Sequence, residues 1–148
     1  MKRFKYSFIG LAFITALLFS SCTKEARITK HLWNNGGVWN IESFNAIRVS
    51  TYAPENYNQT LTFCGTFSFY ENTKGNLTLN INGNNISKSL NYSNTEDQLA
   101  LTIENKESVY NILDWDKKNM KMTISCTENF SNSNGSGTYT QTYILAKE

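Results

Sequence analysis

Leu61-Thr-Phe-Cys-Gly-Thr-Phe-Ser-Phe-Tyr70 is the stretch that decides the fold. Leu61, Phe63, Gly65, Phe67 and Phe69 fall on one side of an extended chain, with Thr62, Cys64, Thr66, Ser68 and Tyr70 on the other. Successive side chains of a strand point to opposite faces, so a period of two marks a strand with one face in the core and one in water. The rhythm recurs down the chain. Leu77, Leu79 and Ile81 alternate with Thr78 and Asn80, and Ile86, Lys88, Leu90 and Tyr92 follow, then Leu99, Leu101 and Ile103. Further on come Met120, Met122, Ile124 and Cys126, and last Tyr139, Gln141, Tyr143 and Leu145.

Turn formers separate these runs: Asn72-Thr-Lys-Gly75, Asn82-Gly83, Ser93–Asp97, Asn105-Lys106 and Asn132–Gly137. Asn-Gly supplies the positive φ that tight hairpins need. Strand and turn together take about ten residues, which leaves no room for crossover helices and predicts a meander. With Val38–Val49 counted in, the strands number about eight, enough to close a barrel around side chains or one small ligand. The expected fold is all-β, a single antiparallel up-and-down β-barrel. Closure also removes the open edges that invite aggregation.

The 148 residues make one domain's worth of chain after a leader is set aside. Lys2, Arg3 and Lys5 precede Phe8-Ile-Gly-Leu-Ala-Phe-Ile-Thr-Ala-Leu-Leu-Phe19, an uncharged run too short as a helix to cross a bilayer of about 30 Å. A basic start, a short apolar stretch and small residues after it are the parts of a secretory signal. Three of the 14 basic residues sit in that leader, so the remainder is near neutral against 12 acidic residues. A near-neutral domain has no field for nucleic acid, so DNA and RNA are set aside as partners.

Leu18-Phe19-Ser20-Ser21-Cys22 resembles the lipobox of bacterial lipoproteins, in the looser Ser-Cys form common in Bacteroidetes-like sequences. The resemblance implies acylation (palmitate-type chains) on Cys22 as the mature N-terminus. Thr23 follows in place of Asp, so no enterobacterial inner-membrane retention cue is present, and an outer-membrane location in the bacterial cell envelope is expected. One acyl chain binds reversibly, whereas two or more anchor stably. The expected division is a signal peptide over 1–21, a lipidated tether over 22–36 and a barrel domain over 37–148.

Gly37-Val38-Trp39 at the head of the first strand, Phe67-Ser-Phe69 with Gly75 after it, and the closing Tyr143-Ile-Leu-Ala-Lys-Glu148 together resemble lipocalin-like (calycin-like) lipoproteins. In that family the Trp closes one end of the barrel, and larger members lay an Arg from near the last strand over its ring. Only Arg27 and Arg48 follow the leader here, so Lys147 is the residue available for that contact. The resemblance implies a barrel that binds a small hydrophobic or amphipathic ligand. Trp39, Phe63, Phe67, Phe69, Tyr110, Met122, Tyr139 and Tyr143 are the aromatic and adaptable side chains that would line a cavity, or else fill the core. The alternative function is a non-enzymatic protein-binding module of the envelope, an inhibitor of a hydrolase or an assembly accessory, acting through Tyr52–Asn58 and Asn132–Gly137.

No enzyme is expected. His31 is the one histidine and falls in the expected tether, with no positioned partner. Asp114-Trp115-Asp116 is opposed as a cation site by Lys117 and Lys118, and reads as a turn with Trp115 folded over the barrel end. No metal or cofactor motif is found. Cys64 and Cys126 remain as a disulfide pair or two separate thiols. Their strand phases disagree, Cys64 lying opposite Phe63 and Phe67 while Cys126 shares a face with Met122 and Ile124, so pairing requires a bulge.

Overall fold

The computed structural model describes residues 23–148. The leader and Cys22 lie outside the described residues. A helix, α1 (Lys24–Trp33), is followed by β1 (Val38–Ser50), a 3-10 turn (Ala53–Glu55), β2 (Tyr57–Thr62), β3 (Gly65–Phe69), β4 (Lys74–Ile81), β5 (Asn84–Asn94), β6 (Gln98–Ile103), β7 (Lys106–Asp116), β8 (Lys121–Asn132) and β9 (Gly135–Lys147).

These nine strands, counted among the described residues, form one antiparallel sheet in the order β2-β1-β3-β4-β5-β6-β7-β8-β9. β9 pairs back onto β1 from Trp39↔Lys147 to Ser50↔Gly137, and that pairing closes the barrel. Eight strands make the wall, as the meander predicts. β2 is the ninth: the start of β1 pairs with β3 through Val38↔Ser68 and Asn40↔Thr66, and its far half pairs with β2 through Ser43↔Thr62 and Arg48↔Tyr57.

The joint between β2 and β3 breaks the alternation with which the sequence opens. Phe63 has φ +47° and Gly65 φ +151°. A Cβ at Gly65 would stand 1.9 Å from the Thr78 carbonyl oxygen, so glycine is required where β3 meets β4. The joint turns over only the two residues at its centre, while Leu61 before it and Phe67 after it keep the inward face. Phe63 is turned out to 79% exposure and Cys64 is turned in and buried. The expectation that Phe63 lines the interior with Phe67 and Phe69 is therefore corrected, because a period-two reading fails where one strand ends and left-handed backbone carries the chain into the next.

Residues 22–36 are expected as a tether, and the described part is instead a docked helix. Thr23 Oγ1 accepts from Ala26 N–H at 3.1 Å as an N-cap, and Ile28 and Leu32, one turn apart, are fully buried. α1 plugs one end of the barrel. Trp39 Nε1 donates to the Leu32 carbonyl at 2.9 Å, and Asn94 ties the helix to the β5–β6 turn through Thr29 Oγ1 and the Glu25 carbonyl. Gly37 makes the turn from helix to strand at φ +67°, where a Cβ would sit 2.0 Å from the Phe69 carbonyl oxygen. That contact is the physical reason for glycine two residues before Trp39.

Candidate functional site

The two ends of the barrel differ in packing. At the plugged end Trp39, Ile41, Phe67, Phe69, Leu99, Met122, Ile124 and Leu145 are at most 1% exposed. Each such side chain contributes about 1.5–3 kcal/mol by leaving water. Trp39, Phe67, Phe69 and Met122, four of the side chains expected around a ligand, are thus core in this half. Met122 fills beside Trp115, its register partner on β7.

His31 is enclosed at this end, which corrects its expected place in a free tether. Trp115 Nε1 donates to His31 Nδ1 at 2.7 Å, Met120 Sδ lies 3.1 Å from Nε2, and the Trp39 ring stands edge-on at 5.3 Å. Burial, followed by the nearby Lys147 and Lys117 charges, lowers the His31 pKa. Trp115 does reach His31 at the barrel end, but Asp114-Trp115-Asp116 is corrected from a turn to the last residues of β7, paired with Thr123, Met122 and Lys121. Asp116 is spent on the turn, accepting from Lys118 and Asn119 N–H at 3.0 Å. Among the described residues no three His, Cys, Asp or Glu side chains converge on a common point.

The other end is less completely buried. Phe44, Leu61, Leu79 and Ile103 face inward there and are only partly buried. The floor is Tyr143, stacked on Phe44 at 4.7 Å and edge-on to Phe67 at 5.3 Å and Tyr110 at 5.8 Å. Tyr110 O–H donates to Gln141 Oε1 at 3.0 Å, and Gln141 Nε2 donates to Tyr139 Oη at 3.1 Å. Tyr139, half-buried, meets Tyr57 at 6.4 Å. Burial pushes the Tyr110 and Tyr143 phenols far above their ordinary value, so both are neutral donors.

Three ion pairs stand at this rim. Arg48 meets Glu55 at 2.5 Å, Lys106 meets Glu128 at 2.7 Å, and Lys88 meets Glu104 at 2.7 Å. The Arg48 guanidinium also lies 3.9 Å over the Phe130 ring, and its Nε is buried without a partner among the described residues. Asn134 donates to Glu55 at 3.0 Å, and with Arg48 it holds that carboxyl below its usual range. Lys106 and Ser108 do the same for Glu128. The two loops expected to meet a partner protein, Tyr52–Asn58 and Asn132–Gly137, join at this rim through Glu55 and Asn134.

Of the residues expected to line a site, the structure gathers Tyr110, Tyr139 and Tyr143 at the floor of the less buried end and leaves Phe63 outside. Phe44, Leu61, Arg48 and Gln141 were not expected. Register supplies the signal for them: Phe44↔Leu61 and Phe44↔Tyr143 pair directly, which puts all three on one face. Cys64 and Cys126 are both buried and free. The break between β2 and β3 does bring Cys64 to the inner face, so the anticipated phase conflict is lifted, yet the two thiols stand separately.

No protein-family model matches the chain, and no curated protein matches it. Among solved structures it is similar to apocrustacyanin C1, at 15% sequence identity and a TM-score of 0.48. The match covers 76% of this chain and 60% of that one, less than two thirds of its length.

Proposed function

We propose that the protein is a lipid-anchored binding protein of the bacterial cell envelope, held at the outer membrane through Cys22, that takes a small amphipathic molecule into the less buried end of a lipocalin-like barrel. The observation that carries the reading is the change in packing along the barrel axis. The plugged half is solid, while Phe44, Leu61, Leu79 and Ile103 stay partly buried above a floor of tyrosines. Apolar walls with a few convergent polar groups are the general make-up of a small-molecule site. Every charge in the three rim pairs has its opposite beside it, so the ligand's polar end is neutral or zwitterionic. Gln141 and the tyrosine hydroxyls are the groups that meet it.

Anchor and mouth are compatible. Thr23 caps a helix docked at the plugged end, so a lipid on the preceding Cys22 holds the mouth away from the bilayer. The role is binding without catalysis. A second reading, a protein-binding module, draws support from the exposed Val49, Tyr52 and Tyr57 around the same rim.

Native mass spectrometry of the protein purified without detergent from its own host's envelope tests the choice. A reproducible adduct of roughly drug-like mass, lost on unfolding, supports the small-molecule reading. Bare protein overturns it and turns the search to a partner at the rim.

A further inference from the structure

A second concave surface lies outside the barrel, an open groove of about 730 Å³ across the outer faces of β4, β5 and β6. Register builds it. Lys74↔Asn91 and Asn91↔Thr102 set one outward row, and Asn76↔Ser89 sets the next. Most of its lining residues carry an amide or a hydroxyl, and Lys74, Lys88, Glu104, Gly75 and Leu90 complete it. Lys88 and Glu104 neutralise each other at 2.7 Å along its wall, and Tyr70, 44% exposed, offers a ring whose hydroxyl accepts from Asn76 at 3.0 Å. Among the described residues, Ser89, Asn91 and Thr102 spend their side chains on no internal hydrogen bond, so donors and acceptors face the groove unused.

From this chemistry we infer that the groove binds a neutral oligosaccharide. Amides that donate and accept together match adjacent sugar hydroxyls, each of which also does both. An exposed aromatic ring suits the C–H face of a pyranose. A phosphate ligand is disfavoured, because Lys74 is the one lining cation without an anionic partner in the groove. A peptide would need buried apolar pockets for its anchor side chains, and a row of asparagine, serine and threonine supplies none. The volume lies within the ordinary range for a ligand site, roughly 300–1,000 Å³. The groove shares the Lys88–Glu104 pair with the barrel rim but otherwise runs over the outer rows of β4, β5 and β6, and the inference does not depend on what the mouth binds.

The test is a titration of the ¹⁵N-labelled full-length protein with cellohexaose, maltohexaose and chitohexaose, followed by amide chemical shifts. Saturable shifts confined to β4, β5 and β6 with at least one of the three are expected. Asn91→Ala and Thr102→Ala remove outward side chains without internal partners, so each should fold normally and weaken that binding by about tenfold. Tyr70→Phe, which keeps the ring, should bind within a few-fold of the native protein. Absence of saturable shifts with all three sugars overturns the inference, as do shifts centred on the barrel mouth or undiminished binding by both alanine variants.

Discussion

Lys147 Nζ lies 5.3 Å from the centre of the Trp39 ring, a cation held over an indole face. The same ammonium donates to the His31 carbonyl, and Trp39 Nε1 donates to the Leu32 carbonyl. The last strand, the first strand and the helix are thereby fastened at one point. Lysine makes this contact with a point charge, where an arginine would bring a planar fork.

Trp39→Ala should destabilise the barrel by roughly 3–5 kcal/mol, because a fully buried Trp leaves a cavity as well as lost burial. Trp39→Phe keeps much of the packing but orphans the Leu32 carbonyl, and should cost less. Urea midpoints of the two variants give the comparison. A midpoint unchanged in Trp39→Ala would remove this residue from the core.

The closed end should also respond to pH. His31 accepts from Trp115 at Nδ1, so the neutral ring carries its proton at Nε2, towards Met120. Its folded pKa lies below the ordinary 6.5, so the unfolded chain takes up the proton first as pH falls. The neutral ring's contribution is fully present above about pH 6.5 and is lost as pH falls through the folded value. Melting temperature should decline over that window, before Glu55, Glu128 and Asp116, whose pKa values are also lowered, begin to protonate nearer pH 4 and below. His31→Gln should flatten the higher-pH part of the profile. An unaltered slope in that variant would assign the decline to other groups.

Two thiols provide a check on the joint between β2 and β3. Burial raises the pKa of Cys64 and Cys126 alike, which leaves less thiolate to react. Native protein should alkylate slowly at both, and urea-unfolded protein should alkylate at both without reductant. Failure to label them when unfolded, with labelling restored by reductant, would show a disulfide. Cys64→Phe overpacks the core around the inward side chain and should be destabilising by roughly 1–3 kcal/mol.

The strands were legible because alternation is a long-range signal carried by many residues, from Leu77 to Leu145. α1 was not, since its buried face is only Ile28, His31 and Leu32, with Trp33 packed at its end, and most of the remaining segment is polar, as a tether would be. Phe63 misled for a different reason. Left-handed backbone is expected of glycine or asparagine, and here a bulky residue adopts it beside Gly65, which was the one visible warning. The mouth residues were illegible for want of register: nothing local to Arg48 says that Tyr57 and Tyr139 flank it.

Cys22→Ser tests the anchor apart from the barrel. The variant should leave the membrane fraction and appear soluble, with an unchanged melting temperature, since α1 is capped by Thr23 and needs nothing before it. Retention of the variant in membranes would contradict acylation at Cys22.

Leu77 and Leu79 lie two residues apart on the inner face of β4 and separate the two halves of the barrel. Leu77 is 7% exposed and belongs to the sealed core, whereas Leu79 is only partly buried at the mouth. Leu77→Asn strands an amide in packed hydrocarbon and should cost roughly 2–5 kcal/mol. Leu79→Asn keeps its polar head within reach of water and should cost about 1 kcal/mol, an ordinary substitution effect. If the mouth holds an amphipathic ligand, Leu79→Asn should nonetheless lose the mass-spectrometric adduct while retaining the native melting profile within a few degrees. An adduct that survives in Leu79→Asn would place the ligand away from this inner face of β4.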